Sequence, residues 1–143
     1  LNWLGHSARV FNIGNYRRQQ VGTTTCTADF FDPENAEAVR QREECARMAL
    51  EDVIAYLKGP HQAAIYDGTN TTIKRRAFVS EYLREKIPNC NLVWVESVCN
   101  DDIVIETNIR LTKLSSPDYK GVDADKATED FRNRIEKYKK AYQ

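Results

Sequence analysis

The chain has 143 residues, enough for one domain or part of one. Its 21 Lys and Arg balance its 21 Asp and Glu, and hydrophobic residues make up 41%. That composition excludes a disordered chain, which needs low hydrophobicity and high net charge, and a domain that coats nucleic acid through bulk positive charge. No apolar run approaches the ~20 residues of a membrane span; the longest are short, such as Leu92-Val-Trp-Val95. The chain opens on Leu1 and shows no basic region followed by an apolar signal segment. Cys26, Cys45, Cys90 and Cys99 form no C-x-x-C pair, and the only histidines are His6 and His61, which argues against structural zinc. Cysteines this sparse do not make a disulfide framework and fit a reducing, cytoplasmic setting. Without a secretory signal, the glycosylation sequon Asn70-Thr71-Thr72 carries little weight.

Strand and helix patterns alternate. Residues 8–13 read as a short strand ending at Gly14. Asp32 is the expected N-cap of a helix with Pro33 in its first turn and Glu34 favouring its dipole. That helix is expected to run to about Lys58, where Gly59-Pro60 stops it, with Ala46, Ala49, Val53 and Leu57 on its apolar stripe. Residues 62–67 read as a buried strand, and residues 68–72 as the turn out of it. A helix follows over about 72–86, with Ile73, Ala77, Ser80, Leu83 and Ile87 on one stripe. Residues 91–98 read as a third strand. A helix begins near residues 100–102 and carries Ile105 and Ile109. Residues 115–121 form a loop. Asp123 caps a last helix whose inner side holds Ala127, Phe131, Ile135, Tyr138 and Tyr142. Apolar strands alternating with helices imply a parallel sheet covered on both faces. Ligands bind at the carboxyl ends of such strands, here after Ile13, Tyr66 and Val98.

Asp67 is the strongest single signal. It ends an apolar strand and opens a turn rich in hydroxyls, where phosphoryl-transfer proteins place an Asp that holds Mg²⁺. An Asp-Gly turn that merely caps a helix accounts for it equally well. Thr69 and the start of the next helix offer a hydroxyl and free N–H groups to a phosphate. Arg75 and Arg76 lie one turn further on, suited to bidentate phosphate recognition or to a solvated basic face with Lys74. Tyr16, Arg17 and Arg18 follow the first strand directly. Arg42 falls on an apolar stripe, where it needs an anionic partner or marks where the helix leaves the core. Lys113 ends a helix and complements its dipole. Arg134 and Tyr138, four apart, share a face. Cys99 sits just past the third strand, as a small hydrophobe or a thiol. The six glycines make no G-x-x-x-x-G-K-[ST], and neither G-x-S-x-G nor H-E-x-x-H is present.

Several motifs in order resemble one family. They are Leu1-Asn-Trp-Leu4, Phe11-Asn-Ile-Gly-Asn-Tyr-Arg-Arg18, Asp67-Gly-Thr-Asn-Thr-Thr72 with Arg75-Arg76, Glu96-Ser-Val-Cys99 and Ser115-Ser-Pro-Asp-Tyr-Lys120. Across essentially the whole chain they look like the kinase domain of 6-phosphofructo-2-kinase/fructose-2,6-bisphosphatase. The resemblance implies transfer of the γ-phosphoryl of ATP to the 2-hydroxyl of fructose 6-phosphate. It implies that Arg17, Arg42, Thr69, Arg75, Arg134 and Tyr138 bind the sugar phosphate, with Lys113 touching it as well. It implies an ATP-binding stretch of Asn108, Ile109, Arg110, Leu111, Thr112 and Lys113. Asp67 would be the Mg²⁺-associated catalytic carboxylate, and Cys99 and Lys113 would lie at the catalytic centre.

The implied fold is a P-loop-kinase-like α/β parallel sheet with helices on both faces. Its first strand and P-loop would precede Leu1, so residues 1–143 are expected to be a partial kinase domain without the bisphosphatase domain. That strand would lie between those ending at Asp67 and Val98. The chain by itself is then expected to be marginally stable, rearranged or self-associated, and inactive as a fragment. Expected partners are fructose 6-phosphate and ATP, with no nucleic acid and no membrane; a homodimer is allowed. Two other readings stay open: a non-catalytic sugar-phosphate-binding module, and another P-loop-type kinase such as a polynucleotide end kinase.

Overall fold

The computed structural model describes residues 1–23, 27–113 and 115–143; Cys26 lies outside them. The elements are β1 (Ala8–Asn12), α1 (Ile13–Val21), α2 (Ala36–Leu57), β2 (Ala63–Asp67), α3 (Ile73–Lys86), α4 (Asp102–Asn108) and α5 (Ala124–Ala141), with short helical turns at Asn2–Leu4, Ala28–Phe31, Ile109–Lys113 and Pro117–Tyr119. They fall into two units. One comprises Leu1–Gln20, Arg40–Leu92 and Tyr142–Gln143, and the other Val21–Val39 and Val93–Ala141. No helix is long and apolar enough to cross a membrane among the described residues.

In the first unit β1 and β2 pair in parallel, with Ala8 opposite Ala63 and Asn12 opposite Asp67. Alternation along a strand sends neighbouring side chains to opposite faces. Phe11, Ala64 and Tyr66 therefore join a core built on Leu50, Val53, Ile54, Val79 and Leu83. Phe11 meets Tyr56 edge-on, ring centroids 5.5 Å apart. The α2 stripe is the expected one, widened by Cys45, Leu50 and Ile54. Its end also follows the sequence: α2 stops at Leu57, and the Lys58 and Gly59 amides close on the carbonyls of Ile54 and Tyr56.

The structure corrects one expectation about the sheet. Within this unit Val10 and Ile65, opposite each other in register and turned away from that core, are 55% and 47% exposed. Residues 91–98 form no strand. Among the described residues only β1 and β2 pair, and Val93 and Val95 are 77% and 87% exposed. A strand is stable only when its backbone groups find a neighbour, so apolar residues without one do not make a strand.

In the second unit the turn Ala28–Phe31 packs on α5, burying Phe30 and Phe31 beside Tyr138. Asp123 caps α5 as expected, its Oδ1 accepting from the amides of Asp125 (3.2 Å) and Lys126 (3.1 Å). Asp101 caps α4 in the same way, accepting from Ile103 and Val104. The expected cap at Asp32 is corrected: α2 starts at Ala36, and Asn35 Oδ1 accepts from the Ala38 amide at 3.0 Å. Asp32 instead accepts from the Glu34 amide (2.9 Å) and from Lys137 Nζ. The Lys137 ammonium, then the backbone bond, hold the Asp32 carboxyl below its ordinary value. A lowered native pKa adds stability above the unfolded carboxyl value of about 3.9, and that stability is lost as pH falls through the native value. Lys137→Gln is expected to be less stable than the wild type at neutral pH and to converge on it in acid. Melting curves from pH 7 down to 2.5, on the order of the carboxyl range, check this; a constant gap at every pH would refute it.

Candidate functional site

The first unit carries Asp67, Thr69, Arg75, Arg17 and Arg42. Asp67 is exposed at the carboxyl end of β2. Its Oδ2 accepts a close hydrogen bond from the Nδ2 of Asn12, its register partner at the end of β1. The other side-chain atom of Asn12, Oδ1, accepts from the Asn15 amide at 3.1 Å in the first turn of α1. Asn12 thus anchors the catalytic candidate and the start of a helix together. The sequence carried a signal for it, an Asn placed directly before a helix, which is the N-cap pattern. Gly68 permits the close approach of α1. A Cβ there would come within 2.4 Å of Ile13 Cδ1, so a side chain would have to displace that methyl.

Beyond Gly68 the chain turns through Thr69 and Asn70 into α3. Thr69 is exposed, and the Thr72 hydroxyl caps α3 by accepting from the Arg75 amide at 3.1 Å. Arg75 is half-buried against Tyr66, whose phenol donates to the Ala46 carbonyl at 2.9 Å. Burial pushes the Tyr66 phenol up, and the charge and hydrogen bond of Arg75 work against it. Arg17 in α1 is 5% exposed, and Arg42 on α2 is half-buried. Tyr16, just before Arg17, donates to Asp52 at 2.7 Å; burial, then Asp52, push its phenol up to about 12. A single exposed carboxylate beside a hydroxyl turn suits Mg²⁺, which keeps several waters and takes one or two carboxylates plus substrate phosphates. No cluster of three His, Cys, Asp or Glu that could hold a metal occurs among the described residues.

The second unit carries Cys99, residues 108–113, Arg134 and Tyr138. Cys99 is exposed, its Sγ 3.8 Å from the Asp101 carbonyl. Asn108 ends α4, and Ile109–Lys113 continue as one wide helical turn. Ile109 is buried, whereas Asn108, Arg110, Leu111, Thr112 and Lys113 are exposed. Thr112 Oγ1 donates to the Asn108 carbonyl at 2.5 Å. Arg110 pairs with Glu106 at 2.8 Å, and Lys113 Nζ lies 5.9 Å from the Phe131 ring centre.

Arg134, which spacing on α5 puts on one face with Tyr138, is buried. It is 8% exposed, with its guanidinium stacked 3.9 Å above the centre of Phe31. Its Nη1 donates to the Tyr119 hydroxyl at 3.0 Å and lies 3.6 Å from the Asp118 carboxylate. Tyr119 in turn donates to Asp130 Oδ2 at 2.7 Å, and Asp130 Oδ1 accepts from the Ala28 amide at 2.8 Å. Burial works against the charge of Arg134, but Tyr119, Tyr138 and Asp118 outweigh it and raise its pKa. Burial and the bond to Asp130 push the Tyr119 phenol up to about 12. Tyr138 packs on Phe31, ring centres 5.6 Å apart. Spacing on α5 pairs Arg134 with Tyr138 but does not reveal Asp118 and Tyr119, which reach Arg134 from outside the helix; Asp130, on α5 itself, is tied to Arg134 through Tyr119.

A parallel strand pair ending in an exposed Asp, then a hydroxyl turn and a capped helix with Arg in its first turn, defines an α/β protein with groups suited to phosphate. A family model for 6-phosphofructo-2-kinase matches residues 1–143. The chain belongs to the 6-phosphofructo-2-kinase family. It is 46% identical over 144 residues to the 6-phosphofructo-2-kinase/fructose-2,6-bisphosphatase of Gallus gallus, covering 100% of this chain and 30% of that protein. It is 43% identical over 149 residues to the protein of that name from Caenorhabditis elegans, covering 100% of this chain and 32% of that one. It is 43% identical to the human 6-phosphofructo-2-kinase/fructose-2,6-bisphosphatase 1, over 100% of this chain and 30% of the human protein. The chain thus spans about a third of the length of these curated relatives.

Proposed function

We propose that this chain is part of a cytoplasmic ATP-dependent sugar-phosphate kinase that converts fructose 6-phosphate into fructose 2,6-bisphosphate. The observation that carries this is the Asp67–Thr72 turn: an exposed carboxylate held by Asn12, leading through Thr69 into the capped start of α3. In the reaction the 2-hydroxyl oxygen attacks the γ-phosphorus of ATP, the bond to the bridging oxygen breaks, ADP leaves, and the hydroxyl proton passes to solvent. Catalysis of this kind is positioning plus neutralisation of charge on the transferred group. Asp67 is the proposed ligand for Mg²⁺, which when bound would neutralise charge on the phosphate oxygens. Arg17, Arg42, Thr69 and Arg75 are proposed to bind the sugar phosphate. The resemblance alone supports the same role for Arg134 and Tyr138, nucleotide contact by residues 108–113, and a place at the catalytic centre for Cys99 and Lys113.

The test is a thermal-unfolding titration with fructose 6-phosphate, with and without Mg²⁺ and ATP. A ligand that binds only the folded state and is present at 100 times its Kd stabilises by about 2.7 kcal/mol. For a chain of this size, at roughly 2–4 °C per kcal/mol, that is a rise in Tm of about 5–11 °C. The expected result is a rise with fructose 6-phosphate that inorganic phosphate does not match and that Arg75→Ala abolishes. No rise with the sugar phosphate, or an equal rise in Arg75→Ala, would overturn the assignment of this turn.

A further inference from the structure

Arg75 and Arg76 are adjacent, yet their guanidinium groups go to different places. Arg75 lies against the Tyr66 phenol. Arg76 turns back on the chain that precedes its own helix. One nitrogen, Nη1, donates to two successive carbonyls, Asn70 at 2.9 Å and Thr71 at 3.0 Å. The other, Nη2, donates to the Gln143 carbonyl, and the guanidinium lies 5.8 Å from the centre of the Tyr142 ring. Gln143 adds two bonds of its own. Its amide donates to the Thr71 carbonyl at 3.0 Å, and its side-chain oxygen accepts from the Ile73 amide at 3.3 Å.

The turn needs such an anchor. Asn70 sits at φ 40°, the one non-glycine with positive φ among the described residues, a conformation that Asn tolerates better than most side chains but that still carries a cost. The Asn70 and Thr71 carbonyls precede α3 and so have no place in its ladder of hydrogen bonds. A planar guanidinium spans both carbonyls and a third group at once, which a single ammonium on a flexible stem does less well.

We infer that Arg76 is a positioning residue: it fixes the Thr69–Thr72 backbone and thereby the presentation of Thr69 and Asp67 to the sugar phosphate. The inference rests on the proposed function for the ligand and on the structure alone for the turn. The experiment therefore has two arms. Isothermal titration with fructose 6-phosphate compares wild type, Arg76→Ala and Arg76→Lys, and hydrogen exchange follows the amides of residues 69–76.

Arg76→Ala is expected to bind roughly tenfold more weakly, a difference readily resolved by titration. Its turn amides exchange faster, while those of α2 and its Tm stay close to wild type. Arg76→Lys falls between, and free guanidinium at a non-denaturing concentration restores part of the affinity of Arg76→Ala, which a general loss of stability would not allow. Wild-type affinity together with unchanged exchange in Arg76→Ala would overturn the inference. If the wild type itself does not bind the sugar phosphate, the functional reading fails and the exchange arm alone decides the role of Arg76. Should Arg76→Ala not fold, Arg76→Lys matching the wild type in both arms would overturn it.

Discussion

Asp67→Asn is expected to lower phosphoryl transfer to fructose 6-phosphate by roughly 10²–10³-fold, the usual cost of removing one group aimed at charge in the transition state. The substitution keeps the shape of the side chain and removes its charge. Asn12 Nδ2 now donates to a carboxylate oxygen. In the variant the new amide can turn its own oxygen toward Asn12, so the inter-strand bond survives. Because the side chain is exposed, the fold loses little, less than about 1 kcal/mol for one neutral-for-charged exchange. The measurement is turnover at saturating ATP and Mg²⁺, in a form of the protein whose wild type turns over, with Tm alongside. A fall in turnover with KM for the sugar phosphate nearly constant fits a carboxylate that acts on the transferred group. Turnover near that of the wild type would leave Asp67 as no more than the opening of an Asp-Gly turn.

The strand end and turn at Asp67 were legible because their signal is local: a five-residue strand with an acidic end and a hydroxyl turn can all be read within ten residues of sequence. The long helices were legible for the same reason, since period and caps are local. The start of α2 shows the limit. Asp32 and Asn35 are both competent caps, and Pro33 is tolerated by either arrangement. Asn35 takes the role, accepting from the Ala38 amide, while Asp32 closes a turn onto the Glu34 amide and binds Lys137, 105 residues away in the chain. The third strand failed more plainly. Residues 91–98 have strand composition, but pairing is decided by a neighbour that composition does not reveal. Helix α1 was missed because Gly14 looked like the end of a strand, whereas Asn12 one residue before Ile13 had already begun the helix. Arg76 was set beside Arg75 as one basic patch. Only the direction of each side chain separates the residue that faces Tyr66 from the one that closes the turn.

Arg134→Ala is expected to destabilise the second unit by about 3–5 kcal/mol, the range for breaking a buried ion pair by removing one partner. Three losses act together. Asp118, with its side chain 5% exposed, keeps its burial and loses the cation 3.6 Å away. The Tyr119 hydroxyl loses its buried donor, and Phe31 loses a guanidinium stacked at 3.9 Å. Arg134→Lys retains the charge but not the fork that reaches Tyr119 while lying flat on Phe31, so it is expected to fall between the two. Urea unfolding followed by circular dichroism measures the effect; a loss under about 0.5 kcal/mol would mean that the cage contributes no more than an ordinary surface site. The size of this effect bears on how the residue is assigned. In a kinetic survey Arg134→Ala would weaken the proposed fructose 6-phosphate binding whether or not the guanidinium ever touched the sugar phosphate, because Phe31 and Tyr119 both rest on it. Tyr119→Phe separates the two roles. It removes the hydroxyl that joins Arg134 to Asp130 while leaving the guanidinium, Phe31 and Asp118 in place. A raised KM with Tm nearly unchanged would then report on the aim of Arg134, and a fall in Tm with KM constant would report on the Arg134–Tyr119–Asp130 network as part of the core.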